Sequence, residues 1–135
     1  MPQPFKPVVK LQFNPKQGII ICHGEIIGPK IDLSIKMAVD TGATYTMISL
    51  EAAISAGCHP NMSRRKIEIT TGSSVEYVPL VTLPEFRAFG KKIKKFDVIC
   101  HNLPSPSPVE GLLGLNFLNQ SGLLIDFSRH IISAS

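Results

Sequence analysis

The sequence predicts a mostly-β fold, and three observations carry the prediction. From Lys30 to Asp40 the chain alternates at period two: Ile31, Leu33, Ile35, Met37 and Val39 are apolar, and Asp32, Ser34, Lys36 and Ala38 stand between them. That is the pattern of a strand with one face buried. Two further alternating runs, Arg64 to Thr70 and Val75 to Leu83, flank Thr71-Gly72-Ser73-Ser74, a hairpin signal. Only one convincing helix pattern precedes residue 110. A chain of 135 residues fits one domain, 1–135, with 1–7 expected as a flexible N-terminal arm.

In chain order, Gln17 to Gly28 is rich in isoleucine and reads as a strand, closed by a turn at Gly28-Pro29. The Lys30–Asp40 strand stops at Asp40-Thr41-Gly42, where Gly42 is expected to permit a sharp turn. Tyr45 to Ile48 is a short strand. A helix follows, with Ser49 as N-cap, Glu51 in the first turn and Gly57 at C′, its apolar stripe expected from Leu50, Ala53 and Ile54. After the Thr71–Ser74 hairpin comes a second one around Gly90-Lys91-Lys92, ending at Ile99. A proline-rich loop, Leu103 to Pro108, lies inside the domain. Beyond it stand Gly111-Leu112-Leu113-Gly114, a short helix near Leu115 to Gln120, a strand around Leu123 to Phe127, and a last one at Ile131 to Ala134.

Composition removes several classes. With 44% hydrophobic and 18% charged residues and a mean hydropathy of +0.18, the chain is not disordered. No apolar run approaches the roughly twenty residues of a membrane helix, and the start carries no apolar leader core. The net charge of +4 rests largely on Arg64-Arg65-Lys66 and on Lys91, Lys92, Lys94 and Lys95. It is modest, and with no Trp and two Tyr there is little to stack bases on, so nucleic acid is not the expected partner. Three widely spaced cysteines without a CxxC fit free thiols in a reducing, cytoplasmic setting. Each is followed by histidine (Cys22-His23, Cys58-His59, Cys100-His101). Strand neighbours face opposite ways and the spacings match no zinc motif, so neither metal nor cofactor is expected.

Phosphate loops, GxSxG elbows and HExxH helices are absent. The informative stretch is Ala38-Val39-Asp40-Thr41-Gly42-Ala43-Thr44, in which an acidic residue ends a buried strand and enters a run of small residues. It resembles the active-site loop of aspartic proteases, specifically the single-domain retropepsin-like kind. Gly111 to Leu118 is similar to that family's second signature, which packs beneath the Asp loop. Leu124-Ile125-Asp126-Phe127 resembles the strand that follows, and Thr70 to Val75 falls at the flap hairpin. The likeness spans roughly residues 17 to 132 and is nearest to bacterial gag-like aspartyl proteases. It departs from the viral pattern in one respect: Leu115-Asn116 follows Gly114, where viral enzymes place Arg and then Asn or Asp.

The resemblance implies a closed β-barrel of the acid-protease type, a single lobe with one or two short helices. It implies an aspartic endopeptidase with Asp40 as catalytic acid/base. Thr41, Gly42, Ala43 and Thr44 would form the loop and dimer contact, Thr71, Gly72 and Ser73 the flap, and Leu112, Leu113 and Gly114 the support under the loop. Such hydrolysis needs two carboxyl groups sharing a proton. The chain has one DTG loop, and Asp126, mid-strand between Ile125 and Phe127, is not a second. The missing group is expected to be Asp40 of another copy, in a homodimer acting on a peptide or protein. The alternatives are the same scaffold used without catalysis for binding or dimerisation, and a nucleic-acid-binding barrel.

Overall fold

The computed structural model describes residues 9–134; the expected 1–7 arm lies outside them. Strands β2 (Ile21–Ile27) and β3 (Asp32–Val39) form an antiparallel pair joined through Gly28-Pro29. Past a loop the chain returns as β4 (Thr46–Ile48) and helix α1 (Leu50–Ser55), then a 3-10 turn at Pro60–Met62. The long hairpin of β5 (Lys66–Thr71) and β6 (Ser74–Ala88) leads into β7 (Lys91–Cys100). The chain closes with β8 (Gly111–Leu113), helix α2 (Leu115–Ser121), β9 (Leu124–Asp126) and β10 (Ile131–Ala134).

The order β2-β3-β8-β4-β7-β6, with β6 pairing back to β2, closes a six-stranded barrel. Closure leaves no free edge along this ring. Strand β6 is long enough to serve twice. Its second half pairs with β7 from Leu80↔Ile99 onward and with β2, whereas its first half pairs only with β5, from Lys66↔Pro79 to Thr71↔Ser74. The β5–β6 hairpin therefore extends off the barrel. Its turn is the two-residue Gly72-Ser73, and Gly72 adopts φ +49°, which glycine tolerates.

Three phenylalanines centre the core. Phe86 and Phe96 stack at 5.1 Å, and Phe117 of α2 meets both edge-on at 5.5 and 6.1 Å. All three are at most 1% exposed. The Lys30–Asp40 alternation holds for Ile35 and Met37, but Ile31 precedes the strand and is half exposed. Ala38 is buried despite its parity, because the end of β3 is flanked by β2 and β8. Helix α1 is capped as expected: Ser49 Oγ accepts from the Ala52 amide at 3.1 Å, and Gly57 takes φ +99° at C′. Its buried stripe differs. Ala52 and Ala53 face the core with Leu50 partly buried, and Ile54 is 62% exposed. The short helix lies so close to the barrel that only alanines fit beneath it.

Two strands escaped the sequence reading. β8 is three residues long and was expected only as a signature segment. β1 (Val9–Gln12) lies in a proline-rich start and pairs with β10, which pairs with β9, giving a separate three-stranded sheet of both termini. The cysteines are free and buried, with the following histidines outside the core. Burial pushes the Cys22 and Cys100 thiols up to about 12. Among the described residues, no group of three metal-ligating side chains gathers, and no helix is long and apolar enough to cross a membrane.

Truncating the central aromatic ring removes contacts that nothing else can fill. Phe86→Ala is expected to lower unfolding free energy by about 3–5 kcal/mol in urea titrations. A loss below about 1 kcal/mol would show that the Phe86–Phe96–Phe117 cluster is not the centre of the core.

Candidate active site

β3 ends where the chain must pass over β8. β8 lies between β3 and β4, parallel to the first and antiparallel to the second. The Asp40–Tyr45 loop joining β3 to β4 therefore straddles the end of β8 and is held against it. The Asp40 amide donates to the Leu113 carbonyl at 2.9 Å, and the Ala43 amide donates to the Asp40 carbonyl at 3.2 Å. Asp40 Oδ1 accepts from the Gly42 amide at 2.9 Å, fixing the carboxylate on its own loop.

Gly42 does not take a positive φ, contrary to the expected reason for a glycine there. Its constraint is proximity: a Cβ would stand 3.2 Å from Asp40 Oδ1. The small side chain keeps the carboxylate face open.

Beneath the loop, helix α2 begins without a side-chain cap. Its first amides donate instead to the loop: Leu115 N to the Ala43 carbonyl at 2.8 Å and Asn116 N to the Thr44 carbonyl at 3.1 Å. These are the orphan donors every helix start must satisfy. Gly114 admits this approach, since a Cβ there would lie 2.6 Å from the Tyr45 oxygen and 2.8 Å from the Ala43 oxygen. Asn116 completes the joint. Its Oδ1 accepts from the Thr46 amide at 2.8 Å and the Thr46 hydroxyl at 2.9 Å, and its Nδ2 donates to the Asp97 carbonyl of β7 at 2.7 Å. Thr46, fully buried, also accepts from the Gly114 amide at 3.1 Å. Thr46 and Asn116 carry the geometry, yet the sequence reading gave neither a role. The signal available was a lone hydroxyl in the apolar Tyr45–Ile48 strand, and an Asn in the second place after Gly114.

Between this loop and the β5–β6 hairpin lies a cleft of about 760 Å³. Asp40, Gly42, Ala43, Thr44 and Leu112 line it on one side, with Ile67, Ile69, Thr71 and Glu76 of the hairpin on another. Leu103 and Pro104 of the proline-rich loop form part of its wall. Leu113 and Gly114 are buried below. Gly72 and Ser73 stand exposed at the hairpin tip, outside the lining. Thr41 is exposed, and among the described residues its hydroxyl has no hydrogen-bond partner. Asp126 is separate: its Oδ1 accepts from the Ser128 hydroxyl and from the Ser128 and Arg129 amides, closing the turn before β10. The Ser128 hydroxyl, first among these, holds the Asp126 carboxyl below its ordinary value.

A family model described as gag-polyprotein putative aspartyl protease matches residues 31–120. The crystal structure of a retropepsin-like aspartic protease from Rickettsia conorii matches with a TM-score of 0.73 at 19% identity, covering 95% of this chain and 89% of that one. No curated protein matches the chain.

Removing the Asn116 side chain strands the Thr46 amide and the Asp97 carbonyl. Asn116→Ala is expected to cost about 2–3 kcal/mol in chemical denaturation, and Asn116→Asp, which keeps the acceptor for Thr46 but turns an oxygen on the Asp97 carbonyl, is expected to destabilise as well. Equal stability of Asn116→Ala and wild type would remove Asn116 as the support of the loop.

Proposed function

Since the chain belongs to the gag-polyprotein putative aspartyl protease family and has a retropepsin-like fold, we propose that it is an endopeptidase whose Asp40 acts with Asp40 of a second copy. The observation that carries the reading is the Asp40 carboxylate, held by the Gly42 amide in a cleft opposite a projecting hairpin. The other carboxylates on that cleft, Glu68 and Glu76, belong to the hairpin strands. A partner for Asp40 with the same loop geometry comes from a symmetric copy. A two-fold axis beside the loop juxtaposes identical carboxylates.

A second hollow of about 570 Å³ lies on the other side of Asp40, bordered by Phe13, Ile19, Phe127 and His130. Phe127 is 66% exposed there and Ile19 37%. Exposed apolar side chains next to a half-built site suit a covering protomer. Thr41, exposed on the loop and with no hydrogen-bond partner for its hydroxyl among the described residues, would be free to bond across the axis.

The chemistry follows from one shared proton. The ionised carboxylate of the dyad takes a proton from water, and the water oxygen bonds to the scissile carbonyl carbon. The protonated partner gives its proton to the carbonyl oxygen, leaving a neutral gem-diol. The amide nitrogen then takes a proton from the dyad, the C–N bond breaks, and a diol hydroxyl returns its proton. The dyad ends as it began, with one proton between two carboxyl groups. The hairpin, with Thr71, Gly72 and Ser73 at its tip, would close over the peptide and exclude water.

Asp40→Asn is expected to abolish peptide cleavage while leaving the unfolding midpoint near wild type, because Asp40 stands at a strand end and its amide bond to Leu113 is retained. Cleavage by this variant near the wild-type rate would refute the mechanism and favour another route. Folded but inactive wild-type protein would favour the non-catalytic scaffold.

Specific activity is expected to fall on dilution, with half-loss on the order of micromolar, equivalent to about 8 kcal/mol of association. Sedimentation and turnover measured over one concentration series check this. Full specific activity where only monomer sediments would reopen the search for a second carboxylate within the chain.

A further inference from the structure

The cleft faces of β5 and β6 follow from register. Ile67 pairs with Val78 and Ile69 with Glu76, so these four side chains share one face of the hairpin. Ile67, Ile69 and Val78 pack toward Met47, Ile99 and Leu112. Glu76 is the one charged residue among these four, and Thr71 and Ser74 continue the same face toward the tip. Its Oε2 lies 3.3 Å from Nε2 of His101, and both side chains are part-exposed, 46% and 31%. The His101 main chain is anchored beside it, its amide donating to the Ile48 carbonyl at 3.0 Å, so the imidazole faces the carboxylate on the cleft wall.

Stability does not explain this choice. A pair so open to water contributes about 0–1 kcal/mol, and an apolar residue opposite Ile69 would extend the apolar face instead. The charge pattern of the cleft offers a better account. The chain carries +4 overall, yet its cleft is lined by Asp40, Glu68 and Glu76, with His101 as the one imidazole and, among the described residues, no Lys or Arg. A peptide entering the cleft meets apolar surface and negative potential together.

We propose that Glu76, oriented by His101, is a specificity-determining residue that selects peptides with a Lys or Arg side chain near the scissile bond. The assignment rests on the peptidase reading for its cleavage arm only. The basic side chain would lie along Ile67 and Ile69 with its aliphatic stem and present its charged end to Glu76. His101 Nε2 stands beside one oxygen of the same carboxylate and leaves the other acceptor sites for the substrate.

The test uses full-length wild type, Glu76→Gln and Glu76→Lys with a fluorescent peptide panel. Its members differ only in one residue, Arg, norleucine or Glu, moved through the positions around an apolar cleavage site. Binding by anisotropy and cleavage by chromatography are both read. Wild type is expected to favour the Arg peptide at one position by about fivefold or more. Glu76→Gln, nearly isosteric, is expected to erase that ratio by weakening binding and turnover of the Arg peptide more than those of the norleucine peptide. Glu76→Lys is expected to shift preference to a Glu-containing peptide, which a purely structural role would not produce. Equal ratios in wild type and Glu76→Gln, or wild-type preference for norleucine at every position, would overturn the assignment. Binding discrimination that depends on Glu76 without any cleavage would sustain the assignment and refute the peptidase reading. Cleavage without discrimination would do the reverse.

Discussion

The loop that carries Asp40 keeps its shape because a helix start needs acceptors. Helix α2 has no capping side chain, and its first two amides find the Ala43 and Thr44 carbonyls. In water those donors would be solvated. Buried without partners they would each cost about 1–3 kcal/mol. The loop is thereby coupled to the helix, and the helix to the barrel through Phe117, which meets Phe86 and Phe96 edge-on. The geometry at Asp40 draws on the packing energy of the whole core.

Asn116 makes the coupling specific to one arrangement. It accepts from Thr46 twice and donates to β7, so it joins β4, α2 and β7 at one point. Thr46 in turn uses its hydroxyl as donor to Asn116 and acceptor from Gly114. No buried side-chain polar atom among the described residues is left without a partner. A fully satisfied buried network is rigid, because each alternative geometry leaves some member unpaired. The Leu115 side chain takes no part in this network. The Asn116 and Thr46 bonds form without it.

Much of the architecture was legible because its signals are local. The β3 alternation, the Ser49 cap, the Gly57 C′ residue and the hairpin turns are each set by neighbours in sequence. What was hidden depends on residues far apart. β8 has three residues and becomes a strand only because β3 and β4 offer edges on both sides. β1 is a strand only by pairing with β10, more than a hundred positions away. Ile54 was expected inward because helical period alone places it there. The tight seat of α1 on the barrel turns Ala52 and Ala53 inward instead. At the site, the Asp loop, the hairpin and the glycine signature could be located from their motifs. The Thr46–Asn116 bonds span seventy positions, and Glu76 meets His101 only once β6 and β7 are folded together.

Shaping the site and completing it are separate problems in this fold. Among the described residues, Leu113, Gly42, Leu115 and Asn116 supply the Asp40 loop with hydrogen bonds from its own chain. The loop therefore does not wait for a partner to acquire its form. On the proposed reading, what one chain lacks is a second carboxylate and cover for Phe127 and Ile19 beside it. In the proposed dimer the partner would supply both without remodelling the loop, so little conformational entropy is lost at the catalytic centre on association. The interface must then draw its strength from apolar contact outside the loop and from any peptide that spans both halves. A site preformed in halves in this way would be switched by concentration and substrate, with the fold of each half unchanged.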